Sequence, residues 1–122
     1  MSIGAKTWFI PDGYWPDKSN GYFPSHESIC ALNPGSADAH IKITLYFEDR
    51  DKMEGFHAVC KAERTHHIRM DRLKNEKGEG VPQAVPYAMM VESDVDIVVQ
   101  YSRMDTTQSE MALMSTMAFP MR

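Results

Sequence analysis

The chain has 122 residues, of which 43% are apolar and 25% are charged, and its formal net charge is −4. This length is near the common size of one domain, so we expect a single domain over residues 1–122. The acidic balance lacks the electrostatic footprint of a protein that binds phosphate backbones, so nucleic acid is not the expected partner.

The first third of the chain predicts two short strands separated by a long loop. Residues 6–10 are β-prone and end at a Pro-Asp-Gly turn signal. Residues 11–26 carry aromatic side chains among glycines and prolines, which favours a loop that packs against the domain. Residues 27–32 are predicted as the second strand, closed by Asn-Pro-Gly at 33–35.

Residues 40–48 show the cleanest alternation in the chain. The apolar side chains on one side of this segment are Ile41, Ile43, Leu45 and Phe47. Such alternation predicts a strand of an antiparallel sheet with one buried face. After a charged turn at 49–55, residues 56–61 and 65–70 are predicted to form a hairpin around 62–64.

The last third predicts further short strands. Residues 74–86 are rich in Lys, Glu, Gly and Pro, which favours an exposed, mobile loop and a poor place for a site. Strands are predicted at 86–92, 95–101 and 113–119, although 106–114 also contains good helix formers. About eight short strands predict an all-β fold, an antiparallel, jelly-roll-like β-sandwich.

The sequence gives no sign of a metal, a cofactor or a disulfide framework. His66 and His67 are neighbours on a predicted strand and point to opposite faces, so they cannot chelate together. Cys30 and Cys60 lie among apolar residues without a partner spacing. Since the first residues lack the apolar core of a signal peptide, we expect a soluble, cytoplasmic protein with reduced thiols.

A catalytic nucleophile with its base is not recognisable. The run Ser25-His26-Glu27-Ser28 joins a hydroxyl, an imidazole and a carboxylate, but side chains adjacent in sequence rarely align in one relay. Cys30 lies in an apolar run and has the character of a small buried hydrophobe. We therefore expect a protein that is not an enzyme.

Residues 95–105 begin as a strand and end among hydrogen-bonding side chains. Gln100, Arg103, Asp105 and Gln108 offer amides, a guanidinium and a carboxylate, a mixture that recognises hydroxyls or carboxylates. The same cluster also fits a role in turn formation or in a subunit contact, and the two interpretations stay open. Aromatic side chains near the 11–26 loop suit the flat faces of sugars, with packing over the core as the alternative.

Six segments of the chain together carry a resemblance to a known family. They are Ser25-His26-Glu27, Leu32-Asn33-Pro34-Gly35, Asp38-Ala39-His40-Ile41, Arg64-Thr65-His66-His67-Ile68-Arg69, residues 95–105 and Leu113-Met114-Ser115-Thr116. In order and spacing these segments resemble the sensory rhodopsin transducer family. The resemblance runs nearly end to end. It implies a small β-sandwich that assembles as a homotetramer, with a membrane photoreceptor as the partner of one founding member and a small molecule or sugar as ligand.

The resemblance also implies a set of ligand-binding residues. They are Ser25, His26, Glu27, Asn33, Arg64, His67, Arg69, Gln100, Arg103, Asp105 and Gln108, with Trp8 added as a stacking platform. In this interpretation Arg69 and Arg103 donate, while Glu27 and Asp105 accept hydroxyl protons or orient the arginines.

The expected function is that of a non-enzymatic, homotetrameric module for signal transduction that binds a small polar ligand, with a carbohydrate as one candidate. The first alternative is a soluble adaptor for a membrane receptor such as a sensory rhodopsin. The second is a DNA-binding regulator, which the acidic net charge opposes.

Overall fold

The structure is a computed structural model that describes residues 3–108 and 110–122. Met1 and Ser2, part of the signal-peptide argument, and Ser109, inside the helix-prone segment 106–114, lie outside the described residues. The strands are β1 (Ala5–Tyr14), β2 (His26–Asn33), β3 (Ala39–Phe47), β4 (Met53–Cys60), β5 (Arg64–Arg69), β6 (Pro86–Asp105), β7 (Ala112–Met117) and β8 (Phe119–Met121), with a 3₁₀ helix at Met70–Arg72. The predicted all-β class and the count of about eight strands are confirmed.

The strands form two antiparallel sheets that pack as a β-sandwich. Sheet A has the order β4-β3-β6-β1-β8, and sheet B has the order β5-β2-β6-β7. Apolar side chains from both sheets fill the space between them, because each strand turns one alternating face inward. The largest of these buried side chains include Phe56, Ile43 and Met89 from sheet A and Ile29, Val99 and Tyr101 from sheet B.

Strand β6 belongs to both sheets. The sequence predicted two strands at 86–92 and 95–101, which is wrong, because β6 continues over 20 residues from Pro86 to Asp105. Its first half pairs with β1 and β3, and its second half pairs with β2 and β7. Ser93 and Asp94 resemble a turn signal, but no proline or glycine follows Pro86 within the strand to end it.

The predicted hairpin at 56–70 is also wrong. Strand β4 pairs with β3 in sheet A, whereas β5 pairs with β2 in sheet B. The short turn between them therefore crosses from one sheet to the other. Glu63 adopts a positive φ of 55° in this turn, and the carboxylate of Asp38 accepts the backbone N–H of Ala62 at 2.9 Å.

The segments predicted as loops are shorter or more anchored than expected. Strand β1 extends through Pro11 to Tyr14, so the loop after it begins later. In the 74–86 segment Asn75 is buried, and it forms an isolated bridge with Phe56 of β4.

The predicted strand 113–119 is two strands, β7 in sheet B and β8 in sheet A, rather than a helix. No helix among the described residues has the length and apolar character needed to cross a membrane.

Candidate functional site

A buried carboxylate lies at one end of the sandwich. Glu27, on β2, is 1% exposed and points inward between the sheets. The backbone N–H of Tyr14 donates to its Oε2 at 2.7 Å. The hydroxyls of Tyr87 and Tyr101, from the two halves of β6, also donate to this carboxylate. The oxygens of Glu27 are therefore occupied by strands from both sheets.

Arg103 completes this Glu27 cluster. Its Nε donates to the hydroxyl of Tyr101 at 3.0 Å and lies 3.6 Å from Oε2 of Glu27. Its Nη2 is buried and has no hydrogen-bond partner among the described residues, with Oδ1 of Asp12 at 3.8 Å. The guanidinium therefore lies between a buried carboxylate and an exposed one, and the Tyr101 hydroxyl accepts the hydrogen bond of its Nε.

Burial dominates the ionisation of the cluster. Desolvation raises the pKa of Glu27 above its ordinary value of 4.5, while hydrogen bonds from Tyr87 and Tyr14 and the charge of Arg103 act in the opposite direction. Burial, and then the charge of Glu27, hold the pKa of Tyr87 well above its ordinary value of 10. The Tyr87 hydroxyl therefore keeps its proton at neutral pH and can donate its hydrogen bond to Glu27.

A second group of polar side chains lies on the outer face of sheet B. In register across the strands, Arg69, Ser28 and Ser102 form one row, and His67, Cys30 and Gln100 form the next. Residues directly opposite each other in an antiparallel sheet share a face. We name this surface the sheet B trough, because the small side chains of Ser28 and Cys30 on β2 lie beside the longer Arg69 and His67 on β5.

The sides of the sheet B trough are both polar and apolar. Arg69 donates two hydrogen bonds to Asp71, each at 2.8 Å. Burial alone would raise the pKa of Asp71, but the hydrogen bonds and charge of Arg69 outweigh it, so that pKa lies below its usual value. At the ends of the trough lie His26 with Met104, and the exposed Leu32.

The structure brings four predicted site residues to the trough and two to the Glu27 cluster. The trough residues are His26, His67, Arg69 and Gln100, and the cluster residues are Glu27 and Arg103. The two groups lie on opposite faces of sheet B, because residue 27 points inward and residues 26 and 28 point outward. The predicted polar residues therefore do not converge on one shared hollow.

Trp8 does not fit the predicted stacking role. It is 4% exposed in the core, and its Nε1 donates to the backbone oxygens of Ala5 and Ile97. A ring buried on both faces offers no platform to a sugar. Tyr22 and Phe23, by contrast, are exposed in the loop before β2 and contact each other edge to face.

The remaining predicted residues satisfy nearby backbone groups or are exposed. Asn33 is buried and donates to the carbonyls of Ala37 and Cys60 at 2.8 and 3.0 Å. Ser25 accepts the N–H of Thr106 at 2.9 Å, and Asp105 accepts that of Thr107 at the same distance. Arg64 and Gln108 are exposed.

The sequence did not indicate a third surface, which lies on the outer face of sheet A. It is an open groove of ≈ 920 Å³, and none of the predicted site residues lines it. Its floor comes from β3 and β6, and part of its wall comes from the 74–86 segment, which was predicted to be a poor place for a site. In the sequence its charged residues have the pattern of a solvated strand face, so they do not stand out as a candidate site.

Among the described residues, no group of three His, Cys, Asp or Glu side chains is placed to hold a metal ion.

Known proteins place this chain in a family. A family model described as "Anabaena sensory rhodopsin transducer" matches residues 3–120. The crystal structure of Thermotoga maritima 1070 is 37% identical, with a TM-score of 0.86 over 97% of this chain and 96% of that one. The Anabaena sensory rhodopsin transducer is also 37% identical, with a TM-score of 0.75 over 89% of this chain and 96% of that one. No curated protein matches the chain. The resemblance found in the sequence is confirmed, and the chain belongs to the Anabaena sensory rhodopsin transducer family.

Proposed function

We propose that this chain is a non-enzymatic module for signal transduction that works by binding, as a homotetramer, with the sheet B trough as its site for a small polar ligand. Membership of a family named after a transducer supports the signalling role. The arrangement of Arg69, His67 and Gln100 around Ser28, Cys30 and Ser102 is the observation that carries the ligand proposal.

The chemistry of the trough suits a ligand with several hydroxyls. The guanidinium group donates hydrogen bonds, whereas the imidazole, amide and serine hydroxyl groups both donate and accept them. Arg69 is held in place by Asp71, so its orientation is set before any ligand arrives. A pre-ordered donor loses less side-chain entropy on binding. Carbohydrates are one class with this pattern of hydroxyls.

A sugar titration tests the ligand proposal. Glucose, galactose, mannose and N-acetylglucosamine are added separately to ¹⁵N-labelled protein, and amide shifts are followed by NMR. We expect at least one sugar to shift the amides of β2, β5 and β6 that line the trough, and Arg69→Gln to weaken that binding. Arg50→Gln is the matched control, because Arg50 also pairs with a nearby aspartate but lies on the β3–β4 turn. Shifts from no sugar, or equal effects of both variants, would contradict the proposal.

Exposed apolar side chains support the homotetramer. They lie on the two C-terminal strands and are Leu113, Met114, Met117, Phe119 and Met121. We name this surface the C-terminal apolar strip. Five exposed apolar side chains within nine residues are typical of a protein contact, and methionine is common there. Contact between copies of the chain covers the strip.

A membrane receptor is the second candidate partner. The Anabaena relative carries the name of a sensory rhodopsin transducer, and the same C-terminal apolar strip offers an adaptor surface. Co-purification distinguishes the two partners. A tetramer that forms from the pure chain assigns the strip to self-association, whereas a monomer that binds only receptor-containing membranes assigns it to the receptor. A cytoplasmic location is part of this proposal.

A further inference from the structure

The groove on the outer face of sheet A differs in position and chemistry from the surface proposed above for ligand binding. Its floor is formed by outward side chains of β3 and β6, including Lys42, Thr44 and Tyr46 on β3 and Met90 and Glu92 on β6. Residues 51–55 and 75–79 form its rim. The volume of ≈ 920 Å³ is within the range typical of small-molecule sites, roughly 300–1,000 Å³.

Several charges in the groove pair with one another. Lys52 Nζ lies 2.7 Å from Glu54 Oε1, and His57 Nε2 lies 2.6 Å from Glu76 Oε1. The Asn75 amide donates to Glu79 at 3.0 Å. These groups already have partners within the protein, so we take the unpaired charges of the groove as the groups that select a ligand.

Five charged residues of the groove remain outside these ion pairs. They are Lys42, Lys77, Asp51, Glu79 and Glu92, and none has an ion-pair partner within 4.0 Å among residues 3–108 and 110–122. Two of these groups are cations and three are anions. Both signs are therefore present, and a ligand with one charge of each sign meets a partner for both.

Two of these opposite charges lie side by side on the floor. Lys42 and Glu92 are directly opposite in the β3–β6 register, so their side chains leave the same face with Cβ atoms about 5 Å apart. A cation and an anion on neighbouring strands offer one partner each to the carboxylate and ammonium groups of an α-amino acid. Neither charge is buried, so both are available to a ligand from solvent.

The next positions along the floor become less polar. Thr44 lies opposite Met90 and is 8% exposed. Its hydroxyl makes no hydrogen bond to another described residue. Tyr46 follows and is partly exposed. Each step of two residues along a strand is roughly 6.6 Å. A ligand whose charged groups are bound by Lys42 and Glu92 can therefore place an apolar side chain over Thr44 and Met90, directed toward the Tyr46 ring.

We infer that this groove binds a zwitterionic α-amino acid with an apolar or aromatic side chain. Lys42 binds the ligand carboxylate, and Glu92 binds the ligand ammonium group. Thr44 and Met90 contact the side chain, and Tyr46 contacts its far end. This site does not depend on the proposed ligand site on sheet B, so either can fail without the other.

Matched ligands and variants test the inference. L-phenylalanine, phenethylamine, which lacks the carboxylate, and 3-phenylpropionate, which lacks the ammonium group, are titrated into ¹⁵N-labelled protein. We expect L-phenylalanine to shift amides of β3 and β6 around the groove and both truncated ligands to bind at least tenfold more weakly. L-leucine and L-methionine extend the comparison to aliphatic side chains.

The variants divide the affinity between the two charges. Lys42→Gln should weaken L-phenylalanine about tenfold and leave phenethylamine unchanged, whereas Glu92→Gln should weaken L-phenylalanine and leave 3-phenylpropionate unchanged. Lys61→Gln removes an exposed lysine outside the groove and should change nothing. Thermal melts check that each variant keeps its fold. Absence of groove shifts with all three amino acids, or equal binding of the truncated ligands, overturns the inference.

Discussion

Tyr87 and Tyr101 lie on opposite halves of strand β6 and donate hydrogen bonds to the same carboxylate, that of Glu27. One half of the strand belongs to sheet A and the other to sheet B. The carboxylate therefore joins the two layers at the end of the sandwich. Because Glu27 is buried, its oxygens cannot hydrogen-bond to water. Loss of one protein donor therefore leaves a buried oxygen without a hydrogen-bond partner.

Removal of one hydroxyl tests this joint. Tyr101→Phe keeps the ring but deprives Glu27 of a donor and the Nε of Arg103 of an acceptor. We expect the free energy of unfolding to fall by about 1–3 kcal/mol in urea denaturation. Tyr22→Phe is the control, since Tyr22 is 92% exposed, and it should change stability by less than about 0.5 kcal/mol. Equal effects of the two substitutions on the free energy of unfolding would show that the Glu27 cluster does not stabilise the fold.

The raised pKa of Glu27 predicts a specific pH dependence. The folded state holds the proton of Glu27 more tightly than the unfolded state, so its stabilising contribution is complete below about pH 4.5. That contribution is lost as the pH rises through the raised pKa of the folded state. Glu27→Gln cannot titrate there. The unfolding free energy of the native chain minus that of the variant should therefore fall from pH 4 upward and then level off. A difference that rises with pH over the same range would reverse the sign and refute the effect.

Two glycines with positive φ predict very different costs. A Cβ at Gly4, where φ is +94°, would lie 2.2 Å from the backbone oxygen of Ile97, whereas at Gly78, where φ is +79°, it would meet nothing within 4 Å. Gly78→Ala should cost only the left-handed strain, about 1 kcal/mol. Gly4→Ala adds a clash with backbone that cannot move aside, and about 2–4 kcal/mol is expected. Chemical denaturation of both variants measures the contrast, and similar values would mean that β1 shifts away from β6 at low cost.

The C-terminal apolar strip predicts a change in oligomeric state. Leu113 is 74% exposed on β7, so a charge there is harmless in an isolated chain but is buried when a second copy covers the strip. Leu113→Asp should dissociate the proposed tetramer in native mass spectrometry or light scattering without loss of the fold. Val59→Asp, at an exposed position on β4, is the control. A native chain that is monomeric at all concentrations would end the tetramer proposal.

The fold was predictable where pattern and pairing agree. The alternation at 40–48 predicted the bounds of β3 to within one residue, because one face of this strand packs in the core and most of the other face is exposed to solvent. Pairing partners were less predictable. The turn at 61–63 has the same local signals whether the next strand returns to its own sheet or crosses to the other, and only tertiary packing separates these outcomes. Ser93 and Asp94 resemble a turn but continue β6, for the same reason.

The candidate sites were less predictable than the fold. Glu27 and Arg103 were predicted as site residues, but Tyr14, Tyr87 and Tyr101, which also belong to the cluster, were missed, because their contact with β2 depends on long-range register. The inward phase of Tyr87 in an alternating strand was the signal available in the sequence. The groove on the outer face of sheet A was missed because Lys42 and Glu92 are neighbours only across two strands far apart in sequence.

Strand β6 has a consequence for how the molecule unfolds. It is an interior strand of both sheets, so neither layer keeps its middle if this one segment detaches. Melting of a single layer would strip the other of its main hydrogen-bonding neighbour. The whole domain should therefore lose structure in one concerted transition, with far-ultraviolet and aromatic signals that coincide.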